Sequence, residues 1–386
     1  MPQRNGQARK RAALGFSLVE VMVAALIGLI GTIVIFQVYA VSEGQKRTTT
    51  GGADASQSGL LALYAIEREA RMAGFGINYQ ALLGCNVLAY DAGPPVRDPI
   101  PSFKLVAAEI TDGAAGAPDT LRFVYGNSAL SVSPVRLNTA SNAGSTLHKV
   151  NIRFGFNVGD LILVGQSGSP GTACTLQQVT RLPDPPDPTE NVEHTETVRY
   201  NKSNIAGQPD YSPWSNTNQN GGVLYNLGPS PSVITYAISN GQLTYQNLLV
   251  GATTSVIMDG IMQLQAEYGK DTTATPDGIV DVWNTTAPTT PDEWSRVIAL
   301  RIALLSRSTE FDKTLCSSNP QWISRASGAA TATNFLMTNA DGTPDTGTAC
   351  AAGTPPVPPE PNNWRQYRYR VFETTVPLRN HIWFPQ

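Results

Sequence analysis

Residues 9–40 read RKRAALGFSLVEVMVAALIGLIGTIVIFQVYA. Three cations open the stretch, and the 24 residues from Phe16 to Tyr39 are then almost wholly apolar or small, with Glu20 the one charged residue. A helix of about 20 apolar residues crosses the hydrocarbon core of a bilayer, so this segment predicts a membrane span. Because the nearer positive cluster precedes the span, the N-terminus stays cytoplasmic and the body is exported. Glu20 is the odd residue. An ionised carboxylate at membrane depth costs about 2.5–3.5 kcal/mol even on lenient scales, so it calls for a partner. An ordinary signal peptide, cut after Ala40 behind Val38 and Tyr39, gives Glu20 no use, and its apolar region runs to only about 7–15 residues. A plain signal anchor leaves it equally unexplained.

The 386-residue chain is 41% hydrophobic, enough for a real core, and only 15% charged, with 34 Gly and 28 Pro. That balance suits a β-rich, loop-heavy exported protein. With +4 from Arg4, Arg9, Lys10 and Arg11 set apart from the formal −3, the rest carries −7, which gives no footprint for nucleic acid. The four cysteines, Cys85, Cys174, Cys316 and Cys350, form no CxxC and have no His at ligand spacing, which argues against zinc. In an oxidising compartment they make two disulfides with three possible pairings. The favoured one joins Cys316 to Cys350 across a local Gly/Pro-rich loop and Cys85 to Cys174.

GFSLVEVMVAALIGLIG, residues 15–31, resembles the class III signal of type IV prepilins: Gly, Phe, a small polar residue, two aliphatics, Glu, then a long apolar helix. The resemblance implies cleavage between Gly15 and Phe16 by a prepilin peptidase and N-methylation of Phe16. It also gives Glu20 a partner, the α-amine of Phe16 on a neighbouring subunit, so that the carboxylate is neutralised when that subunit docks in register.

Past the span, GLLALYAIEREARMAGFG (residues 59–76) predicts a second helical stretch, with Glu67 and Arg71 an i,i+4 pair and Gly74 and Gly76 as stops. Between them, TTTGGADASQSG (residues 48–59), with two adjacent glycines at about 1 kcal/mol each, predicts a softened or broken segment. Strands are expected over 119–126, 148–165, 295–308 and 367–380. SVITYAISNGQLTYQN (residues 232–247) predicts a hairpin, because Asn240-Gly241 supplies the two positive φ angles of a type I′ turn. The stretches 182–190 and 330–363 read as loops from their Pro and Gly content.

IEREARMAGFG, then VIALRIALLSRS and FETTVPLRN much later, resemble the minor pilins of the PilW family, relatives of the J-type pseudopilins of type II secretion. The likeness covers the first 80 or so residues and, in pieces, the last 130 or so; residues from about 85 to 230 match nothing named. It implies an α+β, pilin-like fold, a long N-terminal membrane-spanning helix packed on an antiparallel sheet with large loop insertions. The expected divisions are a leader 1–15, a membrane or filament-core helix 16–39, its periplasmic continuation 40–76 and a β-rich domain 77–386. Gln37 stands where many major pilins carry a helix-kinking Pro.

The implied function is that of a minor pilin priming type IV pilus assembly and forming part of the tip complex, supporting piliation, twitching motility and adhesion. The expected partners are other minor pilins, the major pilin, the prepilin peptidase, the inner membrane and a large tip adhesin. The alternatives are a J-type minor pseudopilin and a secreted binding module with an ordinary signal peptide. Asp271, Asp277 and Asp281 lie where PilW-like proteins often carry an acidic loop suited to calcium. Here Thr and Pro replace the intermediate acids, so an Asp/Gly turn is the preferred reading even with Glu267 and Asp292 near in sequence. His148, His194 and His381 are scattered, and no nucleophile motif, HExxH, P-loop or GxGxxG is present, so no enzyme is expected. Of the six Trp, several sit in expected loops, where they anchor partners or close small cores.

Overall fold

The computed structural model describes residues 17–77, 79–91, 93, 96–128, 133–140, 146–166, 174–194, 222–251, 253–312, 315–339 and 363–382. The chain divides into two compact units, Met1–Gly51 and Gly52–Gln386. Helix α1 (Leu18–Met72) runs through 55 residues and contributes to both.

In the first unit the described residues are the opening of α1. Ser17 caps it: its Oγ accepts from the Glu20 amide at 3.2 Å and its carbonyl from the Val21 amide at 3.1 Å. The Ser-x-x-Glu spacing 17–20 is that of a capping box, of which the Ser17 half is formed. The expected break over residues 48–59 does not occur, and α1 continues to Met72. Polar side chains that would compete with helix turn back onto it instead, Thr49 Oγ1 to the Gln45 carbonyl (3.0 Å) and Ser56 Oγ to the Gly52 carbonyl (2.8 Å). Within the second unit, Gly52–Met72 is held by tertiary contacts that override the intrinsic cost of glycine.

Among the described residues the second unit builds strands β1 (Asn86–Asp91), β2 (Arg97–Lys104), β3 (Ala108–Thr111), β4 (Thr120–Tyr125), β5 (Val135–Arg136), β6 (Leu147–Lys149), β7 (Leu161–Gln166), β8 (Cys174–Gln178), β9 (Asn191–Glu193) and β10 (Gly222–Gly228). It continues with β11 (Ser232–Ser239), β12 (Gln242–Asn247), β13 (Ser255–Asp259), β14 (Ile261–Lys270), β15 (Val282–Asn284), helix α2 (Pro291–Ser295), β16 (Val297–Arg307), β17 (Gln321–Ser324), β18 (Thr331–Asn334), β19 (Tyr369–Pro377) and the short helix α3 (Arg379–Ile382). They form three main sheets, in the orders β2-β1-β8-β7-β10-β5, β13-β12-β11-β4-β3 and β15-β14-β16-β19. Two ribbons, β17-β18 and β6-β9, complete the set. Pairing is antiparallel except between β1 and β8. The α+β expectation of a long helix followed by antiparallel strands therefore holds, distributed over three sheets.

The β11–β12 hairpin forms as its sequence predicts, with Ser239 opposite Gln242, Asn240 at φ 52° and Gly241 at φ 72°. The stretch 330–363, read as loop, contains strand β18 among its described residues, which survives because β17 pairs with it in register over four residues. Period-2 alternation buries both faces of the six-stranded sheet. Leu161, Leu163, Val223 and Tyr225 enter the main core, whereas Ile162, Val164 and Leu224 enter a second one with Val150, Phe156 and Val192. In the four-stranded sheet Leu300, Ile302 and Leu304 likewise face the main core, while Ala303 and Leu305 meet Trp322, Phe335, Met337 and Trp364 on the other side.

Cys85 and Cys174 are joined, as the favoured pairing has it, tying the start of β1 to β8 across 89 residues. Cys316 is also disulfide-bonded, and Cys350 lies outside the described residues.

Candidate assembly site

The opening of α1 is apolar on every side and covered by nothing in its own unit. Leu18 is 77% exposed and Phe36 73%, and Val23, Leu26, Ile30, Ile33 and Val41 are exposed as well. A helix apolar all round belongs in lipid or among other apolar helices. Leu18–Val41 spans about 36 Å at 1.5 Å per residue, enough to cross a bilayer core. It is the one candidate span among the described residues. Gly28, Gly31 and Gly44 have open space where a Cβ would stand. Glu20 sits in the first turn of this helix, where the positive end of the helix dipole favours a carboxylate. Among the described residues its carboxylate makes no hydrogen bond or ion pair. Gly15 and Phe16, the residues of the expected cleavage, lie outside them.

From Gly52 onward the same helix is built to be covered. Ala55, Ala62, Leu63, Ile66, Ala70 and Ala73 are buried on one face at helical spacing. The small residues bring the backbone close to the sheets: a Cβ at Gly59 would stand 2.0 Å from the Phe372 ring of β19. Polar hooks fix the register. Ser306 Oγ of β16 donates to the Ala55 carbonyl at 2.7 Å, and Tyr236 Oη of β11 to the Ala65 carbonyl at 3.4 Å. Glu69, 3% exposed, accepts from Tyr125 Oη of β4 at 2.6 Å and from Arg68 Nη2 at 2.7 Å. Burial and then the hydrogen bond to Glu69 push the Tyr125 phenol well above its ordinary pKa, so it donates at any physiological pH. Asn380 Nδ2 of α3 reaches the carbonyls of Arg71, Met72 and Ala73, caps the helix end, and Gly74 follows at φ 81°. The expected Glu67–Arg71 pair is present on the outer surface.

Sequence reasoning singled out Glu20 and the Glu67–Arg71 pair but passed over Ser17, Glu69 and Asn380. The Ser-x-x-Glu spacing reveals Ser17. Glu69 carried a signal too, since it falls on the apolar face defined by Ala62, Ile66, Ala70 and Ala73. Asn380 gives none, because its partners lie more than 300 residues away.

The Asp-rich loop between β14 and β15 closes on its own backbone. Asp271 accepts from the amides of Thr273 (3.2 Å), Asp277 (2.8 Å) and Gly278 (2.8 Å), and Asp281 Oδ2 from those of Thr272 (2.7 Å) and Thr273 (3.1 Å). Burial pushes the Asp271 carboxyl up, but bonds from Thr273, Gly278 and Asp277 outweigh it and hold its pKa below the ordinary value. Asp277 accepts from the Ile279 amide at 2.9 Å. Glu267 is turned elsewhere, binding Ser324 Oγ (2.5 Å) and the amides of Arg325 and Ala326, and Asp292 binds Arg296 (2.9 Å) and Gln80 (3.0 Å). Among the described residues no three acidic, His or Cys side chains converge as a metal would need. Trp322 and Trp364 are buried in the small core behind β16, and Trp294 is buried in the main core; Trp214 and Trp383 lie outside the described residues.

No curated protein and no solved structure matches the chain. A family model does match, over residues 235–380, which supply Tyr236, Ser306, Phe372 and Asn380 to the docking of α1. That model is PilW, the type IV pilus-assembly protein W, and over these residues the chain is similar to that family.

Proposed function

We propose that the protein is a minor pilin, held in the inner membrane by the opening of α1 and assembled with other minor pilins into the complex that initiates the type IV pilus and remains at its tip. The match of residues 235–380 to the PilW model supports a function in pilus assembly, and the apolar helix suits a membrane-anchored component. The observation that carries the finer reading is Glu20: one carboxylate, with no partner among the described residues, in a helix otherwise uncharged from Leu18 to Val41. Such a group is costly in lipid and is stabilised when a cation of another subunit meets it. The amine of Phe16, freed by cleavage after Gly15, is that cation in our reading, and it makes neutralisation conditional on correct docking. The body then binds neighbouring minor pilins and a large adhesin at the tip, supporting twitching motility and adhesion.

Intact-mass and N-terminal peptide analysis of the protein from membranes with and without prepilin peptidase tests this. A start at methylated Phe16 that disappears without the peptidase is the expected result. A start after Ala40 in both strains would overturn it. A clean deletion is expected to reduce surface pili; if it instead blocks exoprotein secretion and leaves pili intact, the protein is a J-type pseudopilin.

A further inference from the structure

The ribbon β6–β9 lies in the part of the chain outside the PilW match, and its inner face carries two histidines. Its register sets Leu147 opposite Glu193, His148 opposite Val192 and Lys149 opposite Asn191. His148 and Val192 therefore share a face, and His194, two residues on, joins them. His148 is 2% exposed and His194 7%, and their rings stack at 4.5 Å between centroids, inclined by 22°. The ribbon packs through Val192 and the neighbouring Val150 onto the small core with Ile162, Val164 and Leu224.

His148 Nε2 lies 2.7 Å from Gln177 Oε1 on β8, and since an amide oxygen only accepts, that nitrogen carries the proton and Nδ1 is left bare. Among the described residues, Nδ1 of His148 and Nε2 of His194 are both buried without a hydrogen-bond partner. The pair is thus accommodated neutral, and a proton on either ring places a cation in an apolar site against the other imidazole.

Among the described residues the surrounding charges offer no relief. On the ribbon, Lys149 pairs with Glu190 at 3.9 Å, and Glu193 with Arg181 at 3.2 Å. In the loops packed beside it, Arg181 also pairs with Asp187, and Arg153 with Asp184 at 3.5 Å. Asp160, before β7, accepts from the Asn157 amide (2.8 Å) and Asn226 Nδ2 (2.7 Å). β8 presents neutral Gln177. None of these carboxylates hydrogen-bonds either ring.

We propose that the His148–His194 stack is an acid-sensitive latch: protonation of either ring lets the β6–β9 ribbon open from the core beneath it, while the sheets of the PilW-matched domain stay closed. Burial lowers the His148 pKa to about 4, and burial followed by the neighbouring His148 lowers that of His194 further. Both folded values lie below the ordinary 6.5, so the open ribbon binds more protons than the closed one. Closure is fully favoured above about pH 6.5 and loses ground as the pH falls towards 4. His148 alone raises the opening constant roughly 20-fold between pH 7 and 5.

Hydrogen exchange on the detergent-solubilised full chain at pH 7 and 5, corrected for intrinsic rates, reads this directly. The reporters are the amides of Val150, Glu193 and His194, bonded to the carbonyls of Glu190, Arg181 and Thr146. Their opening is expected to increase at least tenfold at pH 5, with amides of β14 and β16 unchanged. In the double variant His148→Leu/His194→Phe the increase should vanish. Equal opening at the two pH values, or an increase that persists in the double variant, would overturn the latch. Should that variant not fold, ring-proton NMR titration of the unaltered protein decides: two histidines titrating well below 6.5 support the proposal, and ordinary titration of all three refutes it.

Discussion

Two glutamates on one helix are handled in opposite ways. Glu69, in the half of α1 belonging to the second unit, is buried and receives Tyr125 Oη and Arg68 from its own chain. Glu20, in the half belonging to the first, meets no cation or donor among the described residues. The glycines divide likewise: Gly28 and Gly31 have open space around them, and Gly59 lies under the Phe372 ring. One half of the helix has its solvent supplied by the fold, and the other is left for a membrane or for other subunits to cover. The difference teaches that an identical residue type is a structural element when its partner is in the chain and, on the function we propose, an assembly element when it is not.

The largest expected effect tests the first half. Glu20→Gln keeps the shape and removes the charge, and it lowers the cost of residing in lipid. If Glu20 is matched by a cation on another subunit, losing a charged hydrogen bond of about 1.5–3 kcal/mol cuts incorporation roughly 10- to 150-fold. Immunoblots of sheared surface filaments should fall by that factor while the membrane-fraction level stays constant. Undiminished incorporation would break the comparison, since Glu20 would then be as dispensable as any surface carboxylate.

Glu69→Ala probes the other half and is expected to act on stability alone. It removes the carboxylate acceptor of the buried Tyr125 hydroxyl and costs about 1–3 kcal/mol, read as a lowered urea midpoint of the detergent-solubilised protein. A Glu69 variant that unfolds like the unaltered chain would show that the buried carboxylate is offset by desolvation and that the two glutamates differ less than their surroundings suggest.

Much of this division was legible in the sequence. The apolar run 16–39 and the period of Ala62, Leu63, Ile66, Ala70 and Ala73 announce one exposed and one docked helical segment, and Asn240-Gly241 fixes the β11–β12 turn by backbone chemistry alone. The continuity of α1 through residues 48–59 was not legible. Local propensity disfavours helix there, and the contacts that override it, Ser306 on the Ala55 carbonyl and Phe372 over Gly59, come from more than 250 residues away. Sheet order was hidden for the same reason, since β1 pairs with β8 across the Cys85–Cys174 disulfide. The Asp271–Asp281 loop shows the converse. Its composition admits a cation-binding and a turn reading, and only the hydrogen bonds reveal that its carboxylates are engaged by backbone amides.

Glycine substitutions sharpen the contrast at smaller cost. Gly59→Val drives side-chain atoms into the Phe372 ring, and overpacking of this kind costs about 1–3 kcal/mol. Gly28→Val has open space where its Cβ would stand, and the urea midpoint should not move. If Gly28→Val lowers filament incorporation without changing that midpoint, the open side of the first half is a contact surface in the assembly. Equal loss of stability from both substitutions would contradict the division of the helix.

The smallest effect concerns the end of the docked half. Asn380 Nδ2 stands 3.1 Å from the Met72 carbonyl and 3.2 Å from that of Ala73, satisfying acceptors that a helix terminus leaves orphaned. Truncation by Asn380→Ala hands those carbonyls partly to water, so the penalty is about 0.5–1 kcal/mol rather than that of a buried unpaired group. The amides of Phe75 and Ile77, bonded to Met72 and Gly74, should then exchange about two- to fivefold faster. Amides of the Leu63–Ala70 turns should be unaffected, because Tyr236 on the Ala65 carbonyl and Tyr125 on Glu69 hold them independently. Faster exchange along the whole of Gly52–Met72 would mean that the last strand and α3 carry the docking as one cooperative unit, and the helix end would then govern the helix.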